Sequence, residues 1–385
     1  MISTYQQLCP VLFGVGAIDQ IAEKVKEFGA QRAFCVFDKG VEAAGIAERI
    51  LNLLASAGIA AAHFDGVLPD APVESVELAG KAAKDFGAEI IVGIGGGSSL
   101  DTAKAAAVLV DNPAPISRYY AGKGEAFQIS TPLILIPTAA GTGSEVTIMS
   151  VLHDHETDGK ETILRSGDLA IVDPELTVTV PAPVTAATGL DAMSHAIESY
   201  TTNCGNPKAD ILSLAAVKLI VENLEKACRD GSDIAARTNL SLASNLAGMA
   251  FNDASVHFGH AAAHEFGIQF HMPHGVACAI TLPEVVLFAA EAKPEKVRNI
   301  AEALGLEVSA GASAEEVGQL AAEAIRELMR KIGIKSLKEQ GITREQAIGC
   351  AEGAVQKNWF VSCALRPVDE IVMAEQIANM YDHYQ

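Results

Sequence analysis

Aspartate and histidine residues in two stretches of this sequence have the spacing of a metal-binding site. Asp191 and His195 lie four residues apart in GLDAMSHAIESY, which places both on one face of a helix, one turn apart. His260 and His264 repeat this spacing in HAAAHEFGIQFHMPHG, and His274 lies where a turn can direct its ring toward the same helix. Three imidazoles and one carboxylate suit Fe²⁺, Zn²⁺ or a similar first-row ion. A lone buried histidine is more often a hydrogen-bonded core residue, so only the joint pattern supports a metal site.

A glycine triplet directly after a predicted strand forms a second candidate site. The strand EIIVGI is followed by GGGSSLDTAK, in which Gly95, Gly96 and Gly97 allow backbone N–H groups to approach a phosphate. Ser98 can begin the following helix. Tight turns also use glycine without any ligand, and this triplet follows the third predicted strand rather than the first. We therefore expect a pyrophosphate site, but not in the ordinary dinucleotide-binding topology.

A second polar loop, PTAAGTGSEVT, follows the predicted strand PLILIP. Thr138, Thr142, Gly143 and Ser144 offer hydroxyl and backbone donors at the same edge of the sheet, near where two strand ends should part to form a crevice. The two loops together could hold both ends of a dinucleotide.

Asp38 ends the first predicted strand in CVFDKG. A carboxylate at this edge of a sheet can accept hydrogen bonds from a ribose diol and would repel a 2′-phosphate. This position predicts NAD(H) rather than NADP(H). The alternative is that Asp38 only caps the next helix, a role that aspartate often has.

The elements that must position these loops alternate between strands and helices. Strand-like apolar runs occur in RAFCVF, IAAAHF, EIIVGI and PLILIP, and helical patterns occur at Val41–Ala57 and Val73–Phe86. Short, nearly all-apolar strands separated by helices predict a parallel sheet covered on both faces. Less regular β-like segments follow in TIMSVLH, KETILR and LAIVDPEL.

The pattern changes to long helical runs beyond Pro181–Pro183, where we expect a domain boundary. The sequence thus predicts an α/β dinucleotide-binding domain over residues 1–180 and a helical metal-binding domain over residues 181–385. The clearest predicted helices of the second domain are Asp210–Ala227, Asp233–Phe251, Pro294–Leu304 and Ala314–Ile332.

Composition excludes several classes of protein. The 385 residues are 49% hydrophobic and 20% charged, which is typical of a well-packed globular protein. A formal charge of −20 repels phosphate backbones and anionic lipid, so neither nucleic acid nor a membrane is an expected partner. No uninterrupted apolar run approaches the roughly 18 residues of a membrane span, and no signal-peptide pattern is present, so we expect a cytoplasmic protein. The seven scattered cysteines include no CxxC pair and are expected to be free thiols.

Four ordered motifs resemble one known family over nearly the whole chain. GGGSSLDTAK, PTAAGTGSE, GLDAMSHAIESY and HAAAHEFGIQFHMPHGVACAITLP resemble the iron-containing (group III) alcohol dehydrogenases. The resemblance implies a Rossmann-like α/β domain followed by an all-α domain, in the architecture shared with dehydroquinate synthase, with the metal in the cleft between the domains. It further implies Fe²⁺, with Zn²⁺ or another divalent ion possible, NAD, a small primary alcohol, diol or aldehyde as substrate, and a homo-oligomer of at least two subunits.

The resemblance assigns roles position by position. The metal ligands fall on Asp191, His195, His260 and His274, whereas His264 matches a histidine near the nicotinamide and could relay a proton as a catalytic residue. The predicted cofactor-binding residues are Asp38, Gly95, Gly96, Gly97, Ser98, Asp101, Thr138, Thr142, Ser144 and Lys160. His257 and His271 flank the metal motif and could line a substrate pocket.

Some positions depart from the family pattern. Asp70 stands where asparagine is common, Ala139 where threonine is frequent, and Leu365, Arg366 and Pro367 replace an N-P-R segment. Substrate preference is expected to differ accordingly.

Other activities of the same architecture remain open. One is a hydroxyacid–oxoacid transhydrogenase with tightly held cofactor. Another is a dehydroquinate synthase-like lyase, which needs a basic phosphate pocket that the histidine-rich motifs do not offer. A third possibility is a non-catalytic protein in which the metal only stabilises the helical domain.

Overall fold

The computed structural model describes residues 5–157 and 159–385, which divide into two compact units. The α/β unit comprises Gln6–Ala139 and Gly143–Thr179. The helical unit comprises Val180–Gln385 together with Tyr5 and Ala140–Thr142. A parallel sheet in the first unit and helices in the second confirm the predicted fold class.

The α/β unit is built on a six-stranded sheet in which every pair of neighbouring strands is parallel. The strand order is β1-β8-β5-β4-β2-β3, and β6 and β7 form a separate antiparallel hairpin. The strands are Val11–Phe13 (β1), Arg32–Val36 (β2), Ala60–Phe64 (β3), Ile90–Gly95 (β4), Leu133–Pro137 (β5), Met149–Asp154 (β6), Gly159–Leu164 (β7) and Leu169–Val172 (β8).

Helices cover both faces of this sheet, which is why its central strands are apolar throughout. All residues of β4 and β5 are buried. The helices of the unit are Ile21–Glu27 (α1), Lys39–Ala43 (α2), Ile46–Ser56 (α3), Val73–Phe86 (α4) and Gly97–Asp111 (α5). Apolar residues of α1 and α3 share one core cluster with the sheet, and those of α4 and α5 share another.

Two details of this unit differ from the sequence prediction. The three-residue strand β1 was not predicted, because so short a segment has no readable alternation. The glycine triplet therefore begins at the last residue of the fourth strand, not after the third. The predicted helix Val41–Ala57 is two helices, because Gly45 adopts a left-handed conformation (φ 74°) between α2 and α3.

The helical unit contains ten α-helices within the described residues. They are Ala182–Tyr200 (α6), Pro207–Arg229 (α7), Ile234–Ala254 (α8), Phe258–Phe270 (α9), His274–Ala292 (α10), Pro294–Ala303 (α11), Ala314–Lys331 (α12), Arg344–Ile348 (α13), Ala351–Lys357 (α14) and Glu370–His383 (α15). The four clearest helices predicted from the sequence correspond to α7, α8, α11 and α12.

One helix, α10, is long and apolar enough by length and composition to cross a membrane. Polar residues such as Glu284 interrupt its apolar run, so the sequence pattern alone did not indicate a span. In the structure 72% of its most apolar window is buried, as is usual for a core helix.

Candidate metal site and cofactor loops

Helix α6 carries three ionisable side chains on one face. Asp191, His195 and Glu198 follow one another at intervals of four and three residues, which places them along one helical stripe. Their exposed fractions are 2%, 5% and 0%, so all three have lost contact with water. Because ionisable groups are costly to bury without partners, this stripe requires partners from other helices.

Helices α9 and α10 supply those partners. His260 lies on α9, and His274 is the first residue of α10 rather than part of a turn as expected from the sequence. His271 ends α9 in the left-handed region (φ 52°), which reverses the chain between the two helices. A Cβ atom on Gly275 would lie 2.3 Å from the backbone oxygen of Ala187, so α10 can approach α6 this closely only with glycine at that position.

The donor atoms of these residues converge. Nε2 of His274 lies 3.5 Å, and Nε2 of His260 3.9 Å, from Oδ1 of Asp191. Within the described part of the chain, Asp191 Oδ1, His195 Nδ1 and His260 Nε2 are buried without a hydrogen-bond partner. Buried polar atoms of this kind are normally satisfied in a folded protein, and a divalent cation would satisfy Asp191 Oδ1 and His260 Nε2 at once. The side chains present therefore fit a metal ion.

Among the described residues, the donor atoms that lie within 4.8 Å of one another include those of Asp191, His260 and His274 but not those of His195. The ring of His195 stacks on that of His260, with 4.6 Å between centroids, and on Phe251 at 4.3 Å. Burial lowers the pKa of His195 to about 4, so the imidazole is neutral near pH 7 and keeps a lone pair for a metal.

Cys278 is a fifth potential ligand, which the sequence analysis missed. Donor atoms of Asp191, His260, His274 and Cys278 all lie within 4.8 Å of one another, and Sγ of Cys278 is 3.5 Å from Nε2 of His274. Its position one turn after His274 on α10 was the available sequence signal.

Glu198 is a second residue that the sequence analysis missed. Its Oε1 lies 2.5 Å from Nδ1 of His260, and its Oε2 accepts a hydrogen bond from the backbone N–H of His257 at 2.7 Å. Burial would raise the pKa of Glu198, but His260 and His257 outweigh it and lower that pKa to about 2. A carboxylate bonded to one nitrogen of a histidine orients the other nitrogen toward a metal. The signal was the position of Glu198 three residues after His195.

The other histidines of the motif lie in different environments. Nδ1 of His264 is 2.9 Å from Oδ1 of Asn358, and its ring centroid lies 5.5 Å from that of His274. His257 is 1% exposed, so it does not line a pocket. Its Nδ1 lies 3.4 Å from Oε2 of Glu198, and its Nε2 lies 3.0 Å from Oγ1 of Thr201. His271 is exposed at the end of α9.

The glycine loop after β4 leaves the start of α5 open. Gly96 is the N-cap and α5 begins at Gly97, so Ser98 lies in the first turn of the helix, one residue after its start. Gly95 has φ 146°, and a Cβ there would lie 2.5 Å from Oγ of Ser99. Among the described residues nothing lies within 4 Å of a Cβ built on Gly96. A 15-residue helix that begins this way offers backbone N–H groups and a positive dipole end to a phosphate.

Asp38 lies at the point where the order of strands reverses. β2 lies between β3 and β4, so the chain moves to one side of β2 and then returns to the other. The carboxyl ends of β2 and β4 are therefore the position at which sheets of this kind have their ligand-binding crevice. Oδ1 of Asp38 accepts hydrogen bonds from the N–H groups of Gly40 and Val41, so the residue does cap α2. Its Oδ2 accepts one from Oγ of Ser99 at 3.0 Å. The cap holds the carboxylate at the crevice.

Residues of α5 hold the second loop in place. Oγ of Ser144 donates to Oδ1 of Asp101 at 2.7 Å, and the N–H of Val151 donates to Oδ2 at 3.1 Å. Nζ of Lys104, which is fully buried, donates to Oγ of Ser144 and to the carbonyl of Met149. In this arrangement the predicted cofactor residues Asp101 and Ser144 bind each other.

Three further predicted cofactor residues lie outside the glycine loop and α5. Thr138 is buried in the α/β unit, where its N–H donates to the carbonyl of Gly95 at 3.0 Å, and Thr142 is half-buried and belongs to the helical unit. Lys160, on β7, forms an ion pair with Asp70, with 2.5 Å between Nζ and Oδ1. Asp70, which stands where the family commonly has asparagine, is thus paired with the positive charge of Lys160.

Comparisons with known proteins agree on one family. Residues 10–174 match the family described as iron-containing alcohol dehydrogenase, and residues 185–382 match the C-terminal domain of the Fe-containing alcohol dehydrogenase family. Long-chain-alcohol dehydrogenase 1 of Geobacillus thermodenitrificans is 36% identical over 363 residues, which are 93% of this chain and 91% of that protein.

Solved structures agree with the sequence matches. A 1,3-propanediol oxidoreductase superimposes with a TM-score of 0.93 at 35% identity, covering 98% of this chain and all of that one. Sulfoacetaldehyde reductase from Bifidobacterium kashiwanohense, solved in complex with NAD⁺, has a TM-score of 0.89 at 29% identity and covers 99% of both chains. The chain therefore belongs to the iron-containing alcohol dehydrogenase family and is a metal-dependent, NAD-linked alcohol dehydrogenase of that type.

Proposed function

We propose that this enzyme interconverts a small primary alcohol or diol with its aldehyde, using Fe²⁺ held by Asp191, His195, His260 and His274. The observation that carries the proposal is a set of buried donor atoms on α6 and α9 that have no hydrogen-bond partner, within the described residues. Those of Asp191 and His260 lie within 4.8 Å of each other and of a donor atom of His274. In this proposal the metal-binding domain is residues 181–385, and residues 1–180 bind the dinucleotide.

The bound groups would supply the redox chemistry. When bound, a divalent metal would polarise the oxygen of the alcohol or aldehyde, and NAD(H) would accept or donate the hydride. The protein's own contribution is to hold these groups in place and to move the proton.

His264 is the proposed proton carrier. The amide nitrogen of Asn358 donates to the carbonyl of Ala354 at 3.1 Å, which directs the amide oxygen toward His264. Nδ1 of His264 then donates to this oxygen, so Nε2 carries the lone pair that takes up the proton of the alcohol. His264→Ala should lower kcat at least tenfold, while His264→Gln with unchanged kcat would contradict this role.

Binding of NAD(H) is proposed at the crevice of the α/β unit, with Asp38 facing the ribose and the start of α5 facing the pyrophosphate. The capped, hydrogen-bonded carboxylate of Asp38 supports a preference for NAD(H), because a 2′-phosphate would meet a fixed negative charge. Equal kcat/KM with NADPH and NADH would contradict this assignment, whereas Asp38→Gly should reduce the preference.

The substrate class requires a direct assay. The relatives that this chain resembles act on long-chain alcohols, 1,3-propanediol and sulfoacetaldehyde, so the family does not fix chain length or charge. We would reconstitute the protein with Fe²⁺ under anaerobic conditions and follow NADH absorbance with short aldehydes, diols and anionic aldehydes. The ranking of kcat/KM identifies the substrate class, and His274→Ala should abolish turnover with every substrate.

Three outcomes of this assay would contradict the proposal. Full activity of metal-depleted His274→Ala would remove the metal assignment. Turnover between two substrates without added NAD would indicate a transhydrogenase, and phosphate release would indicate a lyase.

The cellular setting is proposed from the family resemblance and the acidic composition. We expect a cytoplasmic homo-oligomer of at least two subunits with small-molecule substrates only. Sedimentation of a monomer at micromolar concentration would contradict the oligomer.

A further inference from the structure

Two cysteines of the helical unit lie within contact distance although 159 residues separate them in the chain. Sγ of Cys204, in the loop after α6, lies 3.2 Å from Sγ of Cys363, at the end of the 3₁₀ helix Trp359–Cys363. We call these two residues the thiol pair.

Hydrogen bonds hold the two segments of the thiol pair together. The N–H of Asn203 donates to the carbonyl of Cys363 at 2.8 Å, and Oγ1 of Thr202 donates to the same carbonyl at 3.0 Å. The side chain of Asn203 donates to the carbonyls of Ser362 and Ala364. These contacts hold the backbones of the two segments against each other, which keeps the two cysteines close.

The two thiols differ in accessibility. Cys204 is exposed, whereas Cys363 is 3% exposed. Burial, and then the hydrogen bond with Cys204, raises the pKa of the Cys363 thiol to about 11. Cys204 is thus the thiol that a reagent in solution can reach, and Cys363 is placed to react with whatever forms on Cys204.

We propose that Cys204 and Cys363 form a reversible disulfide when the protein meets a small-molecule disulfide such as glutathione disulfide. The sulfurs must approach by about 1 Å to reach the length of an S–S bond. The Cys204 thiolate attacks one glutathione sulfur and releases one glutathione; Cys363 then attacks Cys204 sulfur, loses its proton and releases the second. Two protein thiols are oxidised, and one glutathione disulfide is reduced to two glutathione molecules.

The disulfide would affect the proposed catalytic residue His264 through one short 3₁₀ helix, Trp359–Cys363. Asn358, the partner of His264, is the N-cap of the 3₁₀ helix that ends at Cys363. The same segment lines a cavity of about 500 Å³ whose wall includes Asn203 and Trp359. Drawing Cys363 toward Cys204 shifts this helix, so the disulfide should lower turnover; this effect rests on the proposed role of His264.

The experiment treats the reduced, metal-loaded enzyme with glutathione disulfide, blocks the remaining thiols and maps the peptides by mass spectrometry. We expect one cross-linked pair that contains Cys204 and Cys363, together with a severalfold loss of kcat, both reversed by dithiothreitol. Cys363→Ser should keep glutathione attached to Cys204, and Cys204→Ser should show neither adduct nor cross-link. Cys228→Ser, a variant of a half-buried thiol elsewhere in the unit, should behave like the wild type.

Two results would overturn the proposal. One is a wild-type enzyme that carries only the glutathione adduct or stays unmodified. The other is complete cross-linking with unchanged kcat. Peptide mapping does not depend on activity, so failure of the proposed dehydrogenase reaction would be recognised separately.

Discussion

Burial and the Glu198 carboxylate have opposite effects on the pKa values of two histidines at the metal site. Desolvation lowers the pKa of His195, while the buried carboxylate of Glu198 raises the pKa of His260 despite burial. One imidazole is thus kept neutral and another is held by a hydrogen bond to an anion. The site combines a ready lone pair with a fixed ring orientation, two properties that a metal ligand needs.

Glu198→Gln tests the orienting role of this carboxylate. The amide should weaken the interaction with His260 while keeping its shape, so Fe²⁺ affinity should fall about 10–100-fold. The measurement is competition with a chelator, and Glu323→Gln, on the exposed surface of α12, is the control. Unchanged affinity of Glu198→Gln would contradict this role.

Cys278→Ser distinguishes two possible sets of four ligands. Both contain Asp191, His260 and His274, and the fourth ligand is either His195 or Cys278. If His195 completes the set, the Co²⁺-substituted wild type should show no thiolate-to-cobalt charge-transfer band, and Cys278→Ser should bind Co²⁺ with the same affinity. A near-ultraviolet band that disappears in Cys278→Ser would instead place the thiol in the coordination sphere.

At the scale of elements, close approach of helices brings the ligands together. Gly275 permits the start of α10 to contact the backbone of α6 at Ala187, and Gly259 leaves room on α9 for the carboxylate of Glu198. Small residues at helix contacts thus place ionisable side chains from α6, α9 and α10 within reach of one ion.

Gly275→Ala should separate α6 from α10. The added Cβ would meet backbone rather than a flexible side chain, so we expect a loss of about 1–3 kcal/mol in unfolding free energy and weaker metal binding. Denaturant unfolding and chelator competition measure the two effects. Gly311→Ala is the matched control, because among the described residues nothing lies within 4 Å of its added Cβ. Equal effects of both substitutions would contradict the packing argument.

Lys104 links α5 to the second loop and should give that element a pH-dependent stability. Burial lowers the pKa of Lys104 from 10.5 to about 8, so the unfolded chain binds this proton more strongly than the native protein between these values. The contribution of Lys104 to stability should therefore be complete above about pH 10.5 and decrease as the pH falls toward 8. Unfolding free energies of wild type and Lys104→Met across this range measure it, with exposed Lys81→Met as control. A pH-independent difference for Lys104→Met would contradict the prediction.

At the scale of the whole molecule, each unit has a hydrophobic core of its own. The helical unit is built around one large cluster that includes Leu190, Phe258 and Ile325, and the α/β unit has clusters on both sides of its sheet. A core of this size should support the helical unit without a metal, which favours a catalytic over a purely structural role for the ion.

Removal of the metal tests this distinction. Chelation should abolish turnover but lower the Tm by only roughly 5–10 °C. This is the shift expected for the loss of a ligand that is present at about 100 times its Kd and stabilises the native protein by about 2.7 kcal/mol. NAD binding, measured by calorimetry, should persist, because its proposed residues lie mainly in the α/β unit. Cooperative loss of helical circular dichroism on chelation would indicate a structural metal instead.

Local sequence patterns by themselves determined the fold class and the candidate metal ligands of this protein. The i, i+4 spacing of Asp191 and His195, the glycine triplet at Gly95 and the all-apolar strands each have a physical meaning within a few residues. These patterns predicted the fold class and the candidate ligands, because helical period and strand burial are local properties. They did not predict β1, whose identity as a strand depends on pairing with β8.

Only the tertiary structure decided which distant residues meet. Glu198 and His260 are 62 residues apart, Cys204 and Cys363 are 159 apart, and Lys160 meets Asp70 across 90 residues. No periodicity within one segment indicates such contacts, because they depend on the packing of one element against another. For the same reason the sequence could identify histidines suited to a metal but could not show which carboxylate orients them.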